Sequence, residues 1–291
     1  MTIKAMYNNF NIRINTCTDL STMPLHTIIL LNLAAVMLLM LAAWILSLAR
    51  DKACVADSFW GAGFVLIAWL TWFMGPDTFR SLLLALLISF WGVRLVLHIT
   101  SRNWGKPEDR RYQAMRDYHG ESFRWISLFK VFMLQGSLLW IIALAPQVAQ
   151  ASPRPGELVW LDFLGIFIWA LGMLFEVVGD YQMSQFKKDP ANRGRVMDRG
   201  LWGWSRHPNY FGECLVWWGI FCIALSVPGG WLTIISPLLI TFLLVKVSGV
   251  AMLEKDMGSR RPEYENYKKR VSAFVPWFPL KNKEAGDHEQ P

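Results

Sequence analysis

Charge is scarce in this sequence. Asp, Glu, Lys and Arg make up 18% of its 291 residues, against about 25% in an average soluble domain. That excludes a disordered chain, which needs charge and few apolar residues to stay solvated. Cysteine is scarce too: Cys17, Cys54, Cys214 and Cys222 are the four present. They form no C-x-x-C pair, so the sequence offers neither a disulfide framework nor a metal site. No run of period-2 alternation lies between turn signals, which excludes a β-barrel. No repeat of about 20–50 residues recurs. The first 22 residues are polar and lack the plan of a cleaved signal.

What the chain has in quantity is apolar surface. Residues of the AVILMFWYC set make up 54%, and Trp alone occurs 16 times. A membrane helix needs about 20 mostly apolar residues. Seven segments qualify: 26–49, 58–74, 81–99, 126–145, 158–178, 210–227 and 231–253. The expected fold is an all-α polytopic membrane protein of seven transmembrane helices, organised as a single domain over 23–280. Residues 1–22 read as a polar extension, with Met23 as a natural start just before the first span. Residues 281–291 have the composition of a disordered tail.

The net charge of +7 would suit nucleic acid if the basic residues formed a binding surface. They do not. Of 29 Lys and Arg, 20 fall in three segments, 100–125, 179–209 and the stretch after 253. The opposite loops, 75–80, 146–157 and 228–230, hold only Arg80 and Arg154. Seven spans put the three rich segments on one side, and the positive-inside rule makes that side cytoplasmic, with the N-terminus outside. In a bacterium the membrane would be the inner one. Cys54 and Cys214 would face the reducing cytoplasm. The surplus is what topology requires, so no nucleic-acid partner is expected.

Ionisable residues at membrane depth are costly and usually mark a cavity or a partner. Arg94 and His98 fall with Arg102 at i, i+4, i+8 on the third span. Snorkelling to the interface is the plain alternative for them. Glu176, Asp180, Met183 and Lys187 share one face at the end of the fifth span. Two carboxylates one turn apart need cationic or donor partners, from the protein or from a ligand. Asp57 stands at the mouth of the second span, as a helix N-cap or as a functional carboxylate.

The densest polar segment is GLWGWSRHPNYFGE, Gly200 to Glu213. Pro208 suits the first turn of a helix, so the sixth span starts there. Asn209 and Glu213 then lie i, i+4. Arg206, His207 and the unpaired N–H groups of the first turn form a positive end suited to an anion. Glu213 suits a neutral or cationic donor such as a carboxamide. Trp202, Trp204 and Tyr210 alone would fit an interfacial aromatic belt. The stretch 254–280 reads as a basic interfacial helix, with Lys268, Lys269 and Arg270 facing headgroups.

That segment, with FEVVGDYQMSQFKKDPANRGRVMDRG, WGVRLVLHITSRNWGKPEDRRYQAMR and VSGVAMLEKDMGSRRPEYENYKKRVSAFVPWFP, resembles the membrane-embedded reductase superfamily that includes steroid 5-alpha-reductases and sterol reductases. The likeness covers most of 50–280 and fits an uncharacterised bacterial branch. An HP-x-Y-x-G core also occurs in isoprenylcysteine and phospholipid methyltransferases, which bind S-adenosylmethionine. The resemblance implies seven helices with NADPH in a cavity open to the cytosol. It assigns Asn209 and Glu213 to the nicotinamide end, with Tyr210 in the same motif. Asp180 goes to the ribose-phosphate side, and Lys187 and Arg195 to the phosphates. Arg206 and His207 match the sterol-reductase form of the motif, and Tyr267 closes the site. On the substrate side the sequence departs: a Gln-Glu pair is replaced by Asp57, and the third helix offers Arg94 and His98 instead of a tyrosine.

The expected activity is therefore an NADPH-dependent reductase of a lipid-like or steroid-like substrate, saturating a C=C conjugated to a carbonyl. Candidates for the donor at the carbonyl oxygen are Asp57, Arg94, His98 and Tyr112. The alternatives are a membrane methyltransferase using S-adenosylmethionine, and a non-catalytic lipid-binding protein. The expected partners are a hydrophobic substrate and membrane lipids, with no metal.

Overall fold

The computed structural model describes residues 23–255 and 257–280. The expectations for 1–22, for 281–291 and for Cys17 lie outside the described residues. The described chain is helical, and among its residues there is no β-strand, only an isolated bridge between Ser205 and Ser272. Among the described residues, six helical stretches are long and apolar enough to cross a membrane: Leu25–Arg50, Val55–Met74, Phe79–Asn103, Arg110–Ile142, Trp160–Lys188 and Gly230–Glu254. They correspond to six of the seven expected segments. The remaining one is the helix Pro208–Ala224, which has 17 residues and is shorter than those six. It begins at Pro208, where the sequence placed it.

Local chemistry sets the helix ends. The first helix, α1 (Leu25–Arg50), stops at Asp51, which sits in the left-handed region at φ 50. The Lys52 N–H then reaches back to the Ser47 carbonyl at 3.0 Å, a Schellman closure. α2 (Val55–Met74) follows at once. α3 (Phe79–Asn103) is capped by the Thr78 hydroxyl, which accepts from the Ser81 N–H at 3.1 Å.

The fourth stretch is segmented. The polar α4 (Arg110–His119) ends at Gly120, whose φ of 55 suits glycine. Then come the short α5 (Phe123–Ser127), a π-helical turn over Leu128–Met133, and α6 (Leu134–Ile142). The expected span 126–145 is thus broken after Ile142, and α7 (Leu144–Ala151) takes over.

The chain divides into two units. The first holds the described residues up to Val159 together with Ala224–Thr233. Its helices close on apolar side chains such as Met40, Phe64, Leu84, Trp91 and Leu139, all nearly fully buried. α2 and α3 touch backbone to backbone: a Cβ on Gly61 would lie 2.7 Å from the Gly92 carbonyl oxygen. A polar cluster also runs through this core. Asn32 Nδ2 donates to Thr71 Oγ1 at 2.8 Å and to Gln147 Oε1 at 2.9 Å. Gln150 Nε2 donates to the carbonyls of Ala68 and Ser81. In an apolar surround such side chains must find one another, and here they tie α1, α2 and α7 together.

The second unit holds Trp160–Ile223 and the described residues from Ile234 onward. α8 (Trp160–Lys188) carries Gly165, Gly172 and Gly179 at seven-residue spacing, and α9 (Pro208–Ala224) carries Gly212 and Gly219. A Cβ on Gly172 would stand 2.6 Å from the Gly212 oxygen and from the Val216 nitrogen. The two backbones are in direct contact, so small residues are obligatory there. Gly212→Val is expected to abolish the folded protein in detergent, read as loss of the monodisperse peak in size-exclusion chromatography. Gly156→Ala, with nothing within 4 Å of its added methyl, should leave that peak unchanged.

The last membrane-length stretch contains α10 (Ile235–Phe242) and ends in α11 (Val250–Glu254); beyond it the expected single interfacial helix is instead two short ones, α12 (Met257–Arg260) and α13 (Tyr264–Arg270). Pro262 interrupts them, and Pro276 and Pro279 keep the segment after Val271 extended. That segment is stitched to 204–206. The Arg206 N–H donates to the Ser272 carbonyl at 2.9 Å, the Trp277 N–H to the Trp204 carbonyl at 3.0 Å, and Ser205 Oγ to the Phe274 carbonyl at 2.7 Å.

Candidate functional site

The candidate residues fall into two groups, one in each unit. In the first unit the structure brings Asp57 and Tyr112 together. Asp57 lies inside the first turn of α2, and its carboxylate is doubly held. Tyr112 Oη donates to Oδ1 at 2.6 Å, and Arg111 Nη2 lies 2.8 Å from Oδ2. Gln135 Nε2 donates to the Tyr112 hydroxyl at 3.1 Å, and the Arg111 guanidinium lies 5.2 Å from the centre of the Tyr112 ring. Arg111 also pairs with Asp109 at 2.9 Å. Burial works against the Asp109 charge, yet the hydrogen bonds from Arg111 hold its carboxyl below the ordinary range.

Asp57 is therefore not the N-cap of α2. That task falls to Glu108, whose two carboxylate oxygens accept from the backbone N–H groups of Ala53 and Cys54. A carboxylate at the positive end of a helix is favourable, and this one arrives from more than fifty residues away. Sequence reasoning passed over it because no local pattern announces a cap from a distant loop. Burial, and after it the neighbouring Glu108, push the Cys54 thiol up to about 11, so it stays protonated. Arg94 and His98 lie on α3, both half-buried. At the same end of α2 and α3, Thr100 Oγ1 donates to Ser58 Oγ at 3.1 Å.

In the second unit the expected i, i+4 face of α8 is real, with Glu176 buried at 2% exposure and Asp180 partly so. Across from it, Asn209 Nδ2 donates to Asp180 Oδ1 at 3.0 Å. Asn209 Oδ1 is buried and has no protein partner. Glu213, one turn further along α9, is buried at 9% exposure. Gly179 lets this pair form: a Cβ there would stand 3.3 Å from the Asn209 nitrogen. Lys187 and Arg195 are both exposed, Lys187 at the end of α8 and Arg195 in the loop that follows.

Arg206, His207 and Tyr267 have internal partners. Arg206 grips Glu254 with Nε and Nη2, at 2.8 and 3.1 Å, and its Nη1 donates to the carbonyls of Lys268 and Val271. Four of its N–H groups are committed to the fold, so it is not turned out as the expected anion contact. His207 Nε2 lies 3.0 Å from the same Glu254 oxygen, and its ring stacks on Tyr210 at 5.7 Å. Tyr267 donates its hydroxyl to the Trp202 carbonyl at 2.6 Å, which closes α13 onto the segment before α9. Burial pushes the Tyr267 phenol above its ordinary value, so it remains a neutral donor. Glu254, the carboxylate shared by Arg206 and His207, escaped sequence reasoning because its partners lie about fifty residues upstream.

A glutamate-held Arg-His pair, followed by Pro and by an Asn that meets an upstream Asp, is the frame of this second group. Residues 43–271 match the family described as "Protein of unknown function (DUF1295)". The chain belongs to the DUF1295 family. The match takes in every candidate from Asp57 to Tyr267, and Glu108 and Glu254 with them. Among curated proteins, the chain is 38% identical over 64 residues to a protein of Ustilaginoidea virens named "Probable O-methyltransferase ustE", covering 21% of this chain and 22% of that one. It is 22% identical over 222 residues to an uncharacterized protein of Schizosaccharomyces pombe, covering 68% of this chain and 63% of that one. The chain thus spans about a fifth and somewhat under two thirds of these relatives' lengths. No solved structure matches.

Proposed function

We propose that this DUF1295 chain is a membrane-embedded, NADPH-dependent reductase of a lipid-like substrate, saturating a C=C bond conjugated to a carbonyl. The topology is seven spans, with α9 as a short sixth, the N-terminus outside and the basic loops in the cytoplasm. The observation that carries the reading is the Asn209–Asp180 pair. Its amide nitrogen is fixed on the carboxylate, which leaves Oδ1 as a buried acceptor with no protein partner. An orphaned buried acceptor costs about 1–3 kcal/mol, and a primary carboxamide would satisfy it. Asn209 and Glu213 would hold the nicotinamide carboxamide, and Asp180 orients Asn209. With Arg206 engaged internally, Lys187 and Arg195 are the candidates for the phosphates. When bound, NADPH would supply the hydride.

The protein's own share is a hydrogen-bond donor for the substrate oxygen and a dry surround for it. Tyr112 suits the donor role. Its hydroxyl donates to Asp57 and accepts from Gln135, and Arg111 pairs with Asp57, so the phenol is held in one orientation for a substrate oxygen to take over the hydrogen bond. A second reading, a methyltransferase using S-adenosylmethionine, is favoured by the short match to the relative named as an O-methyltransferase. One assay separates them. Purified in detergent, the protein should gain thermal stability with NADPH and little with S-adenosylmethionine, and Glu213→Gln should weaken the NADPH effect. The opposite ranking would replace the reductase with the methyltransferase.

A further inference from the structure

In the first unit, a cavity of about 390 Å³ opens where the turn after α1 meets α4 and α5. Pockets of roughly 300–1,000 Å³ are typical of small-ligand sites. Asp51, Arg116 and Arg124 supply charge to its lining, and Leu48 and Phe123 supply an apolar wall. Its level is fixed by aromatics. Trp44 and Trp125 pack at 5.4 Å, Trp125 is 65% exposed, and Trp44 Nε1 donates to the Arg124 carbonyl at 2.9 Å. Such tryptophans mark the headgroup level of a bilayer.

The charges are mixed in a specific way. Arg116 holds Asp51 at 2.6 Å, lies 3.7 Å from Glu108, and has its guanidinium 4.9 Å from the Phe123 ring centre. Two carboxylates therefore already offset Arg116, which argues against a purely anionic ligand. The Asp51 carboxylate is nonetheless 85% exposed and can accept further donors. Arg124, which is exposed, also lines the cavity, while its backbone carbonyl is fixed by Trp44 and by the Ser127 hydroxyl at 2.8 Å. A carboxylate and a guanidinium at one cavity mouth, above an apolar wall, match a ligand with an ammonium, a phosphate and a hydrocarbon tail.

We propose that this cavity seats the headgroup of phosphatidylethanolamine, with its ammonium on Asp51, its phosphate on Arg124, and an acyl chain leaving past Leu48. A quaternary ammonium cannot donate a hydrogen bond to Asp51, and a glycerol headgroup brings no cation, so the site selects the primary amine. This site is independent of the reductase reading.

The test is native mass spectrometry of the full-length protein, released from detergent with equimolar phosphatidylethanolamine, phosphatidylglycerol and phosphatidylcholine. Phosphatidylethanolamine adducts should predominate. Arg124→Ala, which keeps the backbone carbonyl in place, and Asp51→Asn should each lower them about tenfold relative to the other lipids, the weight of one lost charge-assisted hydrogen bond. Equal retention of all three lipids, or unchanged preference in Arg124→Ala, would overturn the proposal. So would displacement of the lipid by millimolar phosphoethanolamine, because the ligand would then be the soluble phosphoamine and not the lipid.

Discussion

On the proposed reductase reading, replacing Tyr112 with phenylalanine is expected to lower enone turnover with NADPH about 10²- to 10⁴-fold, the usual weight of a positioned proton donor. The thermal gain from NADPH should stay as in the parent protein, because the carboxamide contacts proposed for Asn209 and Glu213 do not involve the Tyr112 hydroxyl. The substitution removes one hydroxyl that serves two partners, Asp57 and Gln135, and leaves the ring packed under Arg111. Asp57 keeps its ion pair with Arg111, so no uncompensated charge is created. A fall in kcat with little change in KM would place the hydroxyl's contribution in the transition state. Turnover at the parent rate would remove Tyr112 from the chemistry. Arg94 and His98 on α3 would then be the donors to test by the same assay.

The sequence made the helices legible where length and apolarity suffice, because an 18- to 25-residue apolar run has few alternatives. It also placed Pro208 at the start of α9 and put Glu176, Asp180 and Lys187 on one face of α8. Helical periodicity alone dictates such faces. It did not reveal what each charged group holds. Asp57 could be an N-cap until Glu108 is seen accepting from Ala53 and Cys54. Arg206 could be an anion contact until Glu254 is seen across from it. In both cases the deciding carboxylate comes from far along the chain, and no spacing rule links the partners. The cluster of Asn32, Thr71, Gln147 and Gln150 was missed for another reason. Uncharged polar side chains barely lower the hydropathy of a span, yet buried among helices they bond with one another, as Asn32 does with Thr71 and Gln147, or with backbone carbonyls, as Gln150 does. The break after Ile142 was hidden likewise, since the residues on both sides of it are apolar.

Replacing Glu254 is expected to lower stability strongly without abolishing the fold. Its carboxylate meets Arg206 Nε and Nη2 and His207 Nε2, and both partners are at most 8% exposed. Glu254→Ala would leave a guanidinium buried without its counter-charge. Breaking a buried pair in this way costs about 3–5 kcal/mol. For a chain of this size that corresponds to a fall in Tm of about 10 °C or more. The loss should extend beyond the site, because Arg206 also holds the carbonyls of Lys268 and Val271, and Tyr267 on the same helix reaches the Trp202 carbonyl. Proteolysis should accordingly open first between α13 and Leu280. Arg206→Gln should destabilise in the same direction. The double variant Arg206→Gln with Glu254→Gln should be more stable than the sum of the losses in the single variants Arg206→Gln and Glu254→Gln, since two neutral amides can bond where one stranded charge cannot. Additive losses would mean that the two residues act apart and that the His-Pro segment is not pinned through Glu254. The pinning matters for function because Pro208 follows that segment directly and begins the helix that carries Asn209 and Glu213. A carboxylate about fifty residues downstream therefore fixes the register of the residues assigned to the cofactor. Glu254→Ala should accordingly weaken NADPH stabilisation as well, without itself being assigned to the cofactor.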